Sequence, residues 1–233
     1  DVIESRGLGD VYKRQPRAKL TNKKICDLMR AALKKMGAPE DLVIGIETPS
    51  LETTNELMRQ CDLVLATGGG AMVHAAYSSG SPALGVGVGN AVITVDDTAD
   101  LDAAAEKIRL SKTLDLAASC SSDNSVVLLD GIYEPMLEKL KAQGGYLCNE
   151  EEKAALRNTL WDEELHLNTA IVAQPPEKIA QMAGLSIPEE TKFFIVPEEG
   201  WGPEHPFSGE KLSVIMALYR ARDIDHAIEL TQN

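Results

Sequence analysis

Apolar positions recur along this chain in two alternating rhythms, one helical and one made of short uninterrupted runs. In residues 22–36, Ile25, Leu28, Met29, Ala32, Leu33 and Met36 share one face with basic residues opposite, which predicts an amphipathic helix ended by Gly37. The run at 42–46 predicts a short strand, and 50–59 a helix with Ser50 as its N-cap. Residues 63–66 read as a buried strand that enters the turn Thr67-Gly68-Gly69-Gly70, followed by a helix at 71–79 closed by Gly80. Strands are predicted at 82–88 and 92–95, then a helix at 100–111 with Leu101, Ala104, Ala105, Ile108 and Leu110 facing inward. The pattern continues with a strand at 126–129, helices at 132–143, 149–160 and 176–183, strands at 193–196 and 215–220, and a helix at 223–232. Strands alternating with helices predict an α/β fold with mostly parallel pairing.

Composition narrows the class. With 233 residues and 44% hydrophobic content the chain is globular, long enough for one large or two modest domains. A net charge of −13 argues against nucleic acid or an anionic membrane as partner. Four widely spaced cysteines, without CxxC or a signal peptide, point to a reducing cytoplasm. Four scattered histidines argue against a metal site. Residues 1–15 show no periodicity and read as an artefactual leader, left out of the fold. A boundary near Gly89-Asn90 separates a domain at 16–90 from one at 91–233, and the helical pattern stops abruptly at Asn233, as a fragment would.

Chemistry concentrates at a few positions. Cys120 sits among Ser119, Ser121, Ser122, Asp123 and Asn124 just before an apolar run, a setting that suits a presented nucleophile. A small core residue in a polar loop is the competing reading. Thr67, Gly68 and Gly69 join a strand to a helix start, where free amides suit a phosphate; a tight turn that needs glycine for its dihedrals fits equally. Gly85-Val86-Gly87-Val88-Gly89 alternates glycine with valine, a strand with one face stripped for close approach by a helix or a flat ligand. Glu210 lies in a loop before an apolar strand and Lys19 near the start; both read by default as solvated charges.

Taken together, ATGGGAMVHAAYSSGSPALGVGVGN, ADLDAAAEKIRLSKTLDLAASCSSDNSVV, PFSGEKLS and ALYRARD resemble the aldehyde dehydrogenase superfamily, most closely its CoA-acylating branch, from about Pro16 onward. The resemblance implies part of a Rossmann-type cofactor domain followed by part of an α/β catalytic domain, in a homo-oligomeric parent. It implies that Cys120 attacks an aldehyde, with its own backbone N–H in the oxyanion hole, and that NAD or NADP accepts the hydride. Glu210 then matches the glutamate on the nicotinamide ribose. Thr67, Gly68 and Gly69 match the turn near the pyrophosphate, and Lys19 a lysine on the adenosine ribose. Hydrolytic relatives place a water-activating glutamate where Val86 stands here. Without that base, the thioester on Cys120 is handed to coenzyme A, a far better nucleophile than water. The hydroxyls beside Cys120 resemble the sulfoacetaldehyde-type enzymes, with acetaldehyde the other substrate. The alternatives are an acyl-phosphate reductase of the glutamyl-phosphate reductase type and a truncated, non-catalytic chain; missing half of the oxyanion hole, this piece alone is expected to be inactive.

Overall fold

The computed structural model describes residues 2–4, 7–9, 15–46, 48, 50–87 and 89–232, with side chains from residue 20 onward. The chain forms two compact units, Asp1–Val88 and Gly89–Asn233.

The first unit contains β1 (Val2–Glu4), β2 (Gly7–Gly9), α1 (Gln15–Lys35), α2 (Leu51–Gln60), β3 (Val64–Thr67), α3 (Gly70–Tyr77) and β4 (Ala83–Val86). Its sheet runs in the order β2-β1-β3-β4, with β3 and β4 parallel and β1 antiparallel to both its neighbours. Residues 2–4 and 7–9, set aside on sequence grounds, therefore extend this sheet. Ser50 caps α2 as expected, its Oγ accepting from the Thr53 amide at 3.0 Å. The strand expected at 42–46 does not form. Residues Glu40–Leu42 make a 3₁₀ turn, only Gly45 bridges, and Leu42 and Ile44 are exposed. A short apolar run becomes a strand only where a neighbouring ladder pairs it. Of the stripped face, only Gly85 lies within β4 and is closely approached, whereas nothing lies within 4 Å of a Cβ on Gly87. A Cβ on Gly85 would fall 2.6 Å from Val73 and 2.9 Å from the Tyr77 ring, both on α3.

The second unit contains β5 (Val92–Val95), α4 (Leu101–Thr113), β6 (Ser125–Leu129), α5 (Tyr133–Ala142), β7 (Gly145–Leu147), α6 (Glu150–Leu160), α7 (Pro176–Ala183), β8 (Phe193–Pro197), β9 (Ile215–Ala221) and α8 (Ile224–Gln232). All five strands are parallel, in the order β5-β6-β9-β8-β7. Strands buried on both faces carry apolar runs rather than alternation: Phe193, Phe194, Ile195 and Val196 are fully buried, as are Ile215, Met216 and Ala217. Helix α4 differs from expectation in one respect. Leu110 is 51% exposed, and Lys112, 1% exposed, faces the core with Ala105 and Ile108. Residues 105, 108 and 112 lie on one helical stripe, and 110 does not. Edge strand β7 escaped the sequence reading because Gly144-Gly145 looks like a helix stop. Gly145 is needed by packing, since a Cβ there would fall 2.6 Å from Ile195. Among the described residues no helix is long and apolar enough to cross a membrane, and no group of three metal-ligating side chains gathers.

Candidate active site

The chain leaves α4 through three successive residues in the left-handed region, Asp115 (φ 47°), Leu116 (φ 54°) and Ala117 (φ 57°). None is glycine, so the surrounding packing must hold a backbone that L residues disfavour. This reversal delivers a loop at the amino end of β6. There the Ser119 and Ser121 hydroxyls pair at 2.8 Å and the Ser122 amide returns to the Ser119 carbonyl at 3.0 Å. Cys120 stands between them, exposed, while Cys26, Cys61 and Cys148 are buried. Among the described residues the Cys120 amide has no acceptor, so it is available to an incoming oxyanion. Burial, and then Glu152, push the Cys148 thiol up to about 12, far from nucleophilic use. Gly89 backs the loop; a Cβ there would meet the Cys120 carbonyl at 3.8 Å.

Asn124 links this loop to the segment bearing Glu210. Its buried amide donates to the Asn90 Oδ1 at 2.6 Å, the Gly209 carbonyl at 2.7 Å and the Ser208 carbonyl at 3.3 Å. Asn90 donates in turn to the Ser208 carbonyl at 2.8 Å. Glu210 follows directly and is half-buried. Lys112, Asp123, Ser125, Lys211 and Ser213 are buried as well, and Lys112 acts electrostatically on both Asp123 and Lys211. Burial lowers the Lys112 ammonium to about 7, partly offset by Asp123. Burial first, and Lys112 second, hold Lys211 well below the usual lysine range, and its Nζ donates to the carbonyls of Phe207 and Gly209. The Asp123 carboxyl is raised, chiefly by its own desolvation.

The remaining predicted positions lie in the first unit. Thr67 ends β3, and the Gly68 amide donates to the Val86 carbonyl at 3.0 Å. Gly69 caps α3, and space around Gly69 and Gly70 is open, with nothing within 4 Å of an added Cβ. The Ala71 amide has no acceptor among the described residues, which together with that space fits a phosphate-bearing group. Lys19 falls within α1, but its side chain lies outside the described residues. Val86 is 54% exposed.

Sequence reasoning missed Asn90, Asn124, Lys112 and Lys211. The available signal was a polar Asp-Asn pair directly preceding a buried strand, where only satisfied amides and charges survive. A cavity of about 630 Å³ opens at the opposite, carboxyl end of the second sheet, lined among others by Glu198, His205, Lys153 and Arg220. It does not include Cys120, whose loop lies at the other end of the sheet.

Residues 10–148 match the model of the aldehyde dehydrogenase family. The bifunctional aldehyde-alcohol dehydrogenase of Escherichia coli (strain K12) is 43% identical over 221 residues, covering 94% of this chain and 25% of that protein. The sulfoacetaldehyde dehydrogenase (acylating) of Bilophila wadsworthia is 41% identical over 231 residues, covering 95% and 49%. The crystal structure of an acetylating aldehyde dehydrogenase from Geobacillus thermoglucosidasius superposes with a TM-score of 0.89 at 38% identity, covering 97% of this chain and 49% of that one. This chain therefore spans between a quarter and a half of the length of these relatives.

Proposed function

Because this chain belongs to the aldehyde dehydrogenase family, we propose that it carries the nucleophile and part of the cofactor site of a CoA-acylating aldehyde dehydrogenase. The observation that supports this most is the exposed Cys120 on a loop that Asn124 joins to the Glu210 segment. The printed names of the relatives, acylating and acetylating, support the same chemistry.

The roles divide as follows. The Cys120 sulfur attacks the aldehyde carbon, and its own amide N–H donates to the oxygen that becomes anionic. NAD or NADP, when bound, supplies the hydride acceptor. The glycine turn at Thr67–Gly69 and the start of α3 would hold its phosphates, and Glu210 its ribose. Oxidation leaves the acyl group on Cys120 as a thioester. Val86 offers no carboxylate to activate water, so the thiol of coenzyme A displaces Cys120 and leaves with the acyl group. One aldehyde, one CoA and one NAD⁺ thus yield one acyl-CoA, one NADH and one proton. The hydroxyls of Ser119 and Ser121 suit a small polar or anionic aldehyde, sulfoacetaldehyde or acetaldehyde. Four free cysteines fit a reducing compartment such as the cytoplasm.

The test uses the protein at the full length of its relatives. NADH formation from aldehyde should require CoA, and Cys120→Ala should abolish it. Cys26→Ala, Cys61→Ala and Cys148→Ala should leave it. CoA-independent turnover to the free acid would reject the acylating reading, and turnover with inorganic phosphate in place of CoA would point to an acyl-phosphate enzyme. Val86→Glu should divert product from acyl-CoA toward free acid, measured by chromatography of the products.

A further inference from the structure

The turn Phe207–Gly209 is held in an unusual way for a surface connection. Each of its three carbonyls is taken by a side-chain donor: Phe207 by Lys211, Ser208 by Asn90 and Asn124, and Gly209 by Asn124 and Lys211. Loop carbonyls ordinarily turn to water. Here the donors come from three segments, of which one carries Cys120 and another directly follows Gly89 behind it. Asn124 is itself pinned. Its backbone N–H donates to the Ala91 carbonyl at 2.8 Å, and its backbone carbonyl accepts from the Ala217 N–H at 3.1 Å. It is 4% exposed, so its amide has no water to exchange with and its bonds persist. Asn124 is therefore a fixed point between two strands. Four residues before it stands the thiol, and one residue beyond its acceptor Gly209 stands Glu210.

We infer that Asn124 is a positioning residue: with Asn90, it fixes the Cys120 loop to the Glu210 segment, so that thiol and carboxylate keep one separation. The inference rests on the roles proposed above for Cys120 and Glu210. Its consequence is specific. The substrate carbon is held by Cys120 and the hydride acceptor by Glu210, so the clasp sets the distance over which hydride moves. A tether that served only stability would alter the folded fraction and nothing else.

Asn124→Asp keeps the shape and removes both N–H donors; Asn90→Ala removes the supporting donor by a milder route. In the full-length protein each should slow single-turnover NADH formation, Asn124→Asp on the order of 10- to 100-fold, the scale of a small misplacement of reacting groups. The rate of Cys120 alkylation by iodoacetamide should stay that of the parent, because the thiol itself is untouched. In the 233-residue chain, hydrogen exchange at the Glu210 and Lys211 amides should quicken in both variants. If NADH formation and alkylation fall together in proportion to folded protein, or if Glu210 exchange is unchanged, the positioning role is overturned. Activity surviving Cys120→Ala would overturn it along with the reading on which it rests, and is a separate result.

Discussion

Cys120 is exposed and the other three cysteines are buried, a difference that fixes the order of thiol reactivity. Under native conditions a disulfide reagent should release one equivalent of thiol rapidly, and Cys120→Ala should remove that phase; rapid reaction of two or more thiols would contradict the burial pattern. A second residue-scale consequence concerns Lys112. In the unfolded chain a lysine keeps its proton to about pH 10.4, whereas the folded protein releases it at about 7. Between those values the unfolded state holds more protons, so stability rises with pH. Lys211, depressed for the same reason, acts in the same direction. Above about pH 9 the raised Cys148 thiol works the other way, because there the folded state keeps a proton that the unfolded chain loses. The urea midpoint should therefore climb from pH 7 to 9, and Lys112→Met should flatten part of that slope; an unchanged slope would show that Lys112 is not the titrating group. Cys120 was legible in the sequence because small polar residues surround it. Lys112 was not, because a single buried charge on an otherwise amphipathic helix is indistinguishable from a solvated one until the neighbouring Asp123 is placed.

Among the elements, those with strong local chemistry were read nearly to the residue. Helix α6 is an instance: Asn149 accepts from the Glu152 amide while the Glu152 carboxylate takes the Asn149 amide, both at 2.9 Å. Such a capping box is written in the sequence as Asn-x-x-Glu. Asn149→Ala should cost about 1 kcal/mol, the usual worth of an N-cap, seen as a lower urea midpoint with an unchanged slope. Helix α7 and strand β5 were equally legible, from Pro176 at a helix start and from an unbroken β-branched run. The turn at Asp115–Ala117 was not, since its left-handed backbone carries no glycine to announce it. The run at 42–46 failed for the opposite reason: its residues favour a strand, but pairing is a property of the neighbours. The candidate site divides the same way. Cys120 stands out by its polar setting and Glu210 only through the family resemblance, whereas the Asn90–Asn124 clasp spans 34 residues in sequence and exists only through folding.

At the scale of the molecule, all five strands of the second sheet, and the large core around them, fall between Gly89 and Asn233. A segment with its own core folds as its own unit. Residues 89–233 expressed alone should melt cooperatively by circular dichroism; a broad, featureless transition would show that the first unit is needed. The first unit has a far smaller core, centred on Met58, Val64, Ala66 and Ala76. Within it, Val86 is tied to the fold chiefly by its backbone, through its pairing with Thr67 across β3 and β4. Its carbonyl receives the Gly68 amide, and its side chain stands half in the open. Any residue can supply that carbonyl. On the acylating reading proposed above, the position that separates water from thiol as the final acceptor thus carries little structural obligation, and one substitution there would change the product without a rebuilt fold.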